Sequence, residues 1–286
     1  MYEHYTPAPL LQPYIDQYWF LRSAGQLTSL QEQIFVDAQA DIMFNFGVAY
    51  ARQNLLGGTS AMTTAHLDAQ REYPIAIAQA GVIDLIGIRF RAGGLAAFIR
   101  LPLHEASNLT IDLQAIFGGA AGVLEARMYE SQDPRERVAL LDLFFLQRLA
   151  PPPALTTAHY VAERIVSSNG SERIATISDD VGYSIRTVDR LFGQIFGVSP
   201  KVYARIVRFQ RALGMLGAQP SMPLIDIALL CGYYDQAHFS REFAEFAGDT
   251  PLAFRLAILE RQGDPPPNLL PLYNPVAHDK GGDQQP

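Results

Sequence analysis

The sequence predicts an α+β protein, in which a strand-rich N-terminal domain that also contains helices precedes an all-α domain. Three observations predict this arrangement. Short apolar runs interrupted by Gly and Asn fill residues 33–90, and large apolar side chains recur at every second position at Ile42, Phe44 and Phe46. Apolar residues at helical spacing follow from residue 94 onwards. Three prolines at residues 151–153 then separate this part from a remainder that is helical throughout.

The proline run is the clearest boundary in the chain, because consecutive prolines cannot continue a helix or a sheet. The predicted domains are residues 1–150 and residues 155–262, joined by a Pro-rich linker at residues 151–154. A chain of 286 residues is long enough for two domains that each bury a core. Residues 263–286 are rich in Pro, Gly, Asp and Gln, which predicts a disordered tail.

Five runs in the first domain have the composition and the boundaries of strands. They are residues 34–37, 41–46, 54–57, 75–78 and 82–90. From residue 94 to residue 149 the apolar spacing becomes helical, most clearly at residues 139–149. We therefore expect a strand-rich half followed by helices in residues 1–150.

The composition is that of a globular cytoplasmic protein. Hydrophobic residues make up 49% of the chain and charged residues 18%, which excludes a disordered chain. The longest apolar stretches are too short to span a bilayer and the first residues do not form a signal peptide, so no membrane partner is predicted. The single cysteine, Cys231, excludes an intrachain disulfide and fits a reducing compartment.

The formal net charge of −7 conceals a basic segment. Residues 184–211 contain six basic side chains and a single acidic one, Asp189. Basic side chains clustered in one segment are the electrostatic signal of nucleic-acid binding, even when the chain as a whole is acidic. The charge distribution is therefore compatible with a nucleic-acid partner.

An internal repeat of about 50 residues lies inside the helical domain. Residues 174–200 parallel residues 224–251, and Gly182 and Gly232 occupy equivalent positions. Both copies end in Gly-x-Ser/Thr-Pro. The offset changes from 50 to 51 after the glycine, so the second copy has one additional residue there. A match in this detail indicates two structurally equivalent units.

Each copy has the pattern of a helix-turn-helix unit, in which a short helix, a glycine turn and a second amphipathic helix follow one another. Ser184 is a suitable N-cap for the second helix of the first copy, and Asp235 has that position in the second copy. The inward positions of these helices are Val188, Leu191, Phe192 and Ile195 in the first copy and Phe239, Phe243 and Phe246 in the second.

The outward faces of the two second helices carry side chains that can read base edges in a major groove. Arginine suits guanine, glutamine suits adenine, and a carboxylate can accept a hydrogen bond from cytosine. The predicted base-facing residues are Arg186, Asp189 and Arg190 in the first unit and Gln236, Ala237, His238 and Arg241 in the second. A single face of this kind is more often a solvated surface, but two matched copies favour DNA binding.

A linking helix is predicted at residues 201–216, between the two units. Its apolar stripe consists of Val202, Ile206, Phe209 and Leu213. Its basic face consists of Lys201, Arg205, Arg208 and Arg211. The first three of these basic residues are the predicted contacts to DNA phosphates, which would position the protein without reading sequence.

Residues 223–243, together with residues 248–251 and Arg255, resemble the signature of the AraC/XylS family of transcription regulators. The resemblance covers residues 155–259, and its motif is highly specific. It implies seven helices, two of which are recognition helices that enter successive major grooves of double-stranded DNA. It also implies the base-facing residues given above. Residues 178–180, Ser-Asp-Asp, depart from the family pattern, which more often has small or apolar residues there.

Members of this family usually carry an N-terminal sensing or dimerising domain, often a cupin-like β-barrel, and residues 1–150 look similar to an uncharacterised domain of this type. The resemblance implies control by a small-molecule effector or by formation of a homodimer, with RNA polymerase as a candidate partner. An activator and a repressor are both compatible with the sequence. The candidate pocket residues are Trp19, Phe44, Phe46 and Phe90, although aromatic residues at strand spacing also form ordinary cores. Arg89 and Arg91 either bind an anionic ligand or are ordinary strand charges.

An enzyme is the alternative from another functional class. The six histidines lack metal-ligand spacing, and the chain contains neither a Walker loop nor a nucleophile-elbow motif. The sequence therefore predicts no catalytic residue, no metal site and no cofactor. A dimerisation module without any effector is a further alternative for the N-terminal domain.

The length of the linking helix generates a first prediction. Sixteen residues span about 24 Å as a helix, and the helices joined at its two ends extend this distance to roughly 34 Å, or about 10 base pairs. We therefore expect the two units to contact two patches with this separation on one face of the DNA. The site should be asymmetric, because the units follow one another head-to-tail and differ in their outward residues. Inserting five base pairs between the patches places them on opposite faces. Affinity in a titration with labelled duplex should then fall to that of one unit, and undiminished affinity would contradict a rigid link.

Overall fold

The structure, a computed structural model, describes residues 2–23, 28–54, 59–62 and 64–260. The predicted disordered tail at residues 263–286 lies outside these ranges. No helix in the described part of the chain is both long enough and apolar enough to cross a membrane.

Within these ranges the strands are β1 (Tyr2–Tyr5), β2 (Ile15–Arg22), β3 (Thr28–Ile34), β4 (Asp41–Asn45), β5 (Ala51–Asn54), β6 (Thr59–Ala61), β7 (Ala65–Asp68), β8 (Ile75–Gly81), β9 (Asp84–Phe90) and β10 (Thr110–Asp112). The helices are α1 (Leu103–Ala106), α2 (Leu113–Phe117), α3 (Gly119–Glu130), α4 (Pro134–Leu146), α5 (Ala154–Ser167), α6 (Ile174–Asp180), α7 (Ile185–Phe196), α8 (Pro200–Ala218), α9 (Leu224–Leu230), α10 (Gln236–Ala247) and α11 (Pro251–Glu260). A short 3-10 helix covers Gly94–Ala97.

The strands form two antiparallel sheets. One has six strands in the order β1-β2-β9-β4-β7-β10, and the other has four in the order β3-β8-β5-β6. The strand-rich first half is followed by α1 to α4, as the sequence predicts. This confirms the predicted α+β class.

The strand predicted at residues 34–37 is wrong except for its first residue. Strand β3 ends at Ile34, and the chain turns at Ala38, which has a φ of 60°. The Asp37 carboxylate accepts a hydrogen bond from the backbone nitrogen of Gln39 at 3.0 Å and stabilises this turn. Of the strand predicted at residues 54–57, only Asn54, the last residue of β5, lies within the described residues.

Strand β2 was not predicted, although it lies inside the six-stranded sheet. Tyr18 and Phe20 belong to the large core of the protein, whereas Trp19 and Leu21 pack against a second, smaller core. Both faces of the strand are therefore covered. A strand of this kind lacks the alternation of polar and apolar residues by which half-exposed strands are recognised.

The six-stranded sheet packs against helices on one face. On that side Phe90 of β9 contacts Phe98 and, from α4, Phe145, with ring centroids 5.7 and 5.6 Å apart. The opposite face meets the four-stranded sheet around a small apolar core. That core consists of Tyr50, Ile83 and Leu85, with Trp19, Leu21, Met62 and Ile77 packed against it.

Helices α5 to α11 form the C-terminal part of the protein, and they are the seven helices that the family resemblance implies. Helix α8 contacts both recognition helices. Tyr203 lies with its ring centroid 5.3 Å from that of Phe192 in α7, and Phe209 lies 5.2 Å from Phe243 in α10. The linking helix therefore joins the apolar interiors of both units.

One hydrophobic core continues from the six-stranded sheet into the C-terminal helices. Phe35, which follows β3, contacts Phe254 of α11 edge-to-face, with ring centroids 5.6 Å apart. The two parts that the prolines separate in sequence are consequently packed against each other in the structure.

Gly87 in β9 generates a stability prediction, because a Cβ atom at this position would overlap the indole ring of Trp19. We expect Gly87→Ala to lower the free energy of unfolding by about 1–3 kcal/mol, the usual cost of overpacking a core. Gly214→Ala is the control, since Gly214 is helical and a Cβ there meets nothing within 4 Å. That substitution should stabilise by about 0.5–1 kcal/mol. Equal melting curves for the two variants would contradict the packing assigned to Trp19.

Candidate nucleic-acid interface

The first helix-turn-helix unit consists of α6, a glycine turn and α7. Gly182 has a φ of 70°, a left-handed conformation that glycine adopts without strain. The Ser184 hydroxyl caps α7 by accepting a hydrogen bond from the Thr187 nitrogen at 3.2 Å. Val188, Phe192 and Ile195 are buried, as the helical spacing predicts.

The second unit repeats this backbone. Gly232 has a φ of 80°, and the Tyr233 nitrogen donates to the Ala228 oxygen at 2.9 Å. The equivalent bond in the first unit joins Tyr183 to Ser178 at 3.0 Å. Asp235 caps α10 by accepting from the His238 nitrogen at 2.7 Å, which confirms the N-cap predicted at this position. The sequence repeat therefore corresponds to two units with the same fold.

The additional residue of the second unit is Tyr234. It stands between Tyr233 and the N-cap Asp235, whereas Ser184 directly follows Tyr183 in the first unit. The Tyr234 side chain is 88% exposed and lies just before a recognition helix. The offset of the repeat reveals an additional residue in the second copy, but no sequence pattern marks Tyr234 as a candidate contact.

The predicted base-facing residues are exposed on the two recognition helices, α7 and α10. The exposed ones are Arg186, Asp189, Arg190, Gln236, Ala237 and Arg241. The described structure records no ion pair for Arg186, Arg190 or Arg241, so their guanidinium groups are available to an outside partner. Two separate clusters of available hydrogen-bonding groups result, one on each unit.

His238 is placed differently from the other predicted base-facing residues. Its ring packs edge-to-face against Tyr233, with centroids 5.3 Å apart, and its Nε2 atom lies 3.8 Å from Glu242 Oε2. The side chain is about 39% exposed. His238 therefore lies at the edge of the outward face and partly inside the domain.

The basic face predicted on α8 is not free, because two of its arginines point at α10. Arg205 Nε donates to Glu242 Oε2 at 2.8 Å, and Arg205 also bonds Glu245 at 2.5 Å. Arg208 Nη2 lies 3.3 Å from Glu242 Oε1, and its Nη1 atom donates to the Gly170 oxygen at 3.1 Å. Arg208 thus connects the loop before the first unit to the recognition helix of the second.

Glu242 is the centre of this cluster and is only 5% exposed. A buried carboxylate requires compensation, which Arg205 and Arg208 supply from α8. Burial by itself lowers the pKa of Arg205, but hydrogen bonds to Glu242 and Glu245 raise it above its usual value. Lys201, at the start of α8, is exposed and lies outside the cluster.

The acidic residues of α6 are partly neutralised. Arg164 donates to Asp180 at 2.5 Å and also bonds Glu172. Hydrogen bonds to Asp180, Tyr160 and Glu172 raise the pKa of Arg164 above its usual range. Ser178 is buried. Of the two aspartates that depart from the family pattern, Asp180 is therefore paired with Arg164, whereas Asp179 is exposed and has no such arginine among the described ion pairs.

The candidate pocket residues of the N-terminal domain do not form one site. Phe44 and Phe90 lie in the large core with the helices, whereas Trp19 packs against the small core on the other face of the sheet. Arg89 is paired with Asp37 and lies 3.6 Å from Asp41. Burial raises the pKa of Asp41 to about 6 although Arg89 lowers it. Phe46 packs against the same large core and lies with its ring centroid 6.3 Å from that of Phe44. The interpretation of these four aromatics as one pocket is therefore wrong, because Trp19 lies on the opposite face of the sheet from the other three.

Two families match separate parts of the chain. A helix-turn-helix domain family matches residues 177–257, which run from the middle of α6 into α11, and a domain of unknown function, DUF6597, matches residues 3–112. The chain is 33% identical to the probable transcription factor PqrA of Proteus vulgaris over 93 residues, which are 32% of this chain and 75% of PqrA. It is 31% identical to a Chromobacterium violaceum regulator with an AraC-type DNA-binding domain, covering 39% of this chain and 96% of that structure at a TM-score of 0.33.

The chain belongs to the AraC/XylS family of transcription regulators. This AraC-family chain is also 35% identical to the transcriptional regulator GbdR of Pseudomonas aeruginosa over 100 residues, 34% of the chain and 25% of GbdR. It is 31% identical to ArgR of the same species over 191 residues, 65% of the chain and 54% of ArgR. It thus spans a quarter of GbdR and about half of ArgR. ToxT of Vibrio cholerae aligns over 81% of this chain and 97% of ToxT, at 9% identity and a TM-score of 0.46.

The cluster around Glu242 generates a prediction with a matched control. Glu242→Ala leaves two arginines facing a poorly hydrated gap, so we expect a loss of about 3 kcal/mol of unfolding free energy. Glu245→Ala removes a carboxylate that is 55% exposed, and the loss should be about 0–1 kcal/mol. Urea denaturation of the full chain measures both values. Equal losses of unfolding free energy for the two variants would show that the burial of Glu242 does not determine how much this cluster stabilises the fold.

Proposed function

We propose that this AraC-family chain is a sequence-specific DNA-binding transcription regulator that reads two adjacent major-groove patches with α7 and α10. The observation that supports the proposal is the repeated geometry. Both units have the same glycine turn and the same capped recognition helix, and each presents exposed polar and cationic side chains. A helix with this exposure can place its N-terminal side chains against base edges.

We assign Arg190 and Arg241 to guanine contacts, with Arg186 as a further cation of the first unit. Gln236 suits adenine, and Asp189 can accept from cytosine. Lys201 is assigned to a phosphate. The pairing of Arg205 and Arg208 with Glu242 favours a role in orienting α10 over the phosphate contacts predicted from the sequence.

Control through the N-terminal domain is part of this proposal. The continuous core between the two parts supports it, because a change in one part alters the surface against which the other packs. A small-molecule effector and a second copy of the chain are the two candidate inputs, with RNA polymerase as the output partner in the cytoplasm. A ligand-dependent thermal shift of the full chain supports the effector, whereas a concentration-dependent mass in sedimentation supports the dimer.

Replacing the proposed base readers tests the assignment. Arg190→Ala and Arg241→Ala should each abolish preference at one base position, equivalent to about 1–3 kcal/mol of discrimination. Lys201→Ala is the control, because loss of a phosphate contact weakens all sequences alike and lowers the slope of affinity against salt by about 1. The measurement is fluorescence anisotropy with a duplex selected from random DNA and its single-base variants at several salt concentrations. The assigned roles are reversed if Lys201→Ala alters base preference while Arg241→Ala weakens every duplex equally.

A further inference from the structure

The C-terminal end of each recognition helix bonds a side chain of the N-terminal domain. Ser107, which directly follows α1, donates its hydroxyl to the oxygen of Gly197, the C-cap residue of α7, at 2.7 Å, and lies 3.0 Å from the Leu103 oxygen of its own turn. Gln33 of β3 donates its side-chain amide to the oxygen of Ala247, the last residue of α10. The last carbonyls of a helix have no partner within the helix, so each donor satisfies a group that requires one. We refer to these two hydrogen bonds as the helix-end bonds.

Close apolar contact surrounds the helix-end bond of the first unit. Gly93 has a φ of 77°, and a Cβ there would lie 3.1 Å from Phe196 Cζ and 3.2 Å from Ile195 Cγ2. A Cβ on Gly197 would lie 2.6 Å from Ser107 Oγ. The backbone of the N-terminal domain therefore approaches the last turn of α7 so closely that a side chain at Gly93 would require these neighbours to shift.

The second unit is held at its own helix end and also through α8. Phe35 packs on Phe254, whose ring in turn lies 5.6 Å from that of Phe243 in α10. Gln210 of α8 is 6% exposed and donates its side-chain amide to the Val36 oxygen. The segment after β3 thus contacts two helices of the C-terminal domain, α8 and α11, and β3 itself bonds α10 through Gln33.

The segments that carry these contacts adjoin each other in the N-terminal domain. Ala38 and Ala40 line a small cavity of about 10 Å³ together with Gly93, Leu95 and Leu103. The two donors are consequently mounted on neighbouring parts of one packed body, and their separation is set by that packing.

We propose that Ser107 and Gln33 are positioning residues that set the placement of the two recognition helices relative to each other. This inference rests on the proposed function, since placement matters only if both helices contact one DNA molecule. Helix α8 links the units at their interior, and the helix-end bonds restrain them from a second direction. Two restraints fix a separation and a tilt more narrowly than one.

The consequence is selectivity for the spacing between the two DNA patches. A rigid pair of recognition helices binds tightly at one spacing only. A loosened pair adapts to neighbouring spacings, so its affinity at the preferred spacing is only slightly higher than at the others. Loss of the helix-end bonds should therefore flatten the dependence of affinity on spacing.

The experiment uses the full chain and a selected duplex whose two patches are separated by the preferred spacing or by one base pair more or less. The variant is Ser107→Ala combined with Gln33→Ala. We expect the ratio of affinities between the preferred and the altered spacings to fall by about threefold to tenfold, the range that one or two ordinary hydrogen bonds represent. Ser107→Thr, which keeps the hydroxyl, should retain the wild-type ratio.

The matched control is Ser131→Ala combined with Gln132→Ala. This variant also loses side-chain hydrogen bonds, but the bonds join the turn between α3 and α4 to those two helices and do not reach the C-terminal domain. The control should keep the wild-type ratio. A cooperative thermal transition of each variant shows that it is folded.

Each outcome decides between the hypotheses. If the Ser107/Gln33 variant loses affinity equally at every spacing, or keeps the wild-type ratio, the positioning role is overturned while DNA binding stands. If the wild type binds tightly but equally at all spacings, the positioning role is again overturned. If the wild type binds none of the selected DNA, the proposed function fails, and this inference fails with it.

Discussion

The packing along α8 is the interaction on which the C-terminal domain depends, because one helix supplies the interior of both helix-turn-helix units. Tyr203 packs against α7, and Phe209 packs against α10 about two turns further along the same helix. The first helices of the units, α6 and α9, have only seven residues each and bury little surface by themselves. A two-helix unit of this size needs a third surface, and both units find it on α8. Placement of the recognition helices therefore follows from side-chain packing rather than from a flexible connection.

The arginines of this domain fall into two groups according to their surroundings. Arg205 and Arg208 both pair with Glu242, so their positive charge neutralises a buried carboxylate of the protein itself. Arg186, Arg190 and Arg241 have no ion pair among the described residues and face outward. Binding to phosphate releases counterions only where a cation is not already neutralised by its own chain. The net charge of −7 is therefore a poor guide to the interface, because the relevant charge is local.

What the sequence predicted correctly was local, and what it missed depended on distant parts of the chain. The caps at Ser184 and Asp235 and the glycine turns need only a few neighbouring residues, so their pattern is complete in the sequence. The partner of Arg205 lies 37 residues away, and no spacing rule distinguishes a phosphate-facing arginine from one that faces Glu242. Strand β2 was missed for a similar reason, since its two covered faces are created by elements that the chain reaches much later. Assignment of the base-facing residues remains a prediction, which rests on their exposure and on the family pattern.

The continuous core between the two domains bears on how such proteins diversify. A prolyl linker is an obvious point at which recombination could join a new sensing domain to an existing DNA-binding domain. In this chain a crossover at that point would leave Gln210 and Phe254 facing a foreign surface, with one buried amide unsatisfied and one aromatic ring uncovered. Inheritance of the two halves is thereby coupled, and a functional chimera must carry the segment around Phe35 and Val36 together with the helices it contacts. The unit of exchange in this protein is larger than the domain.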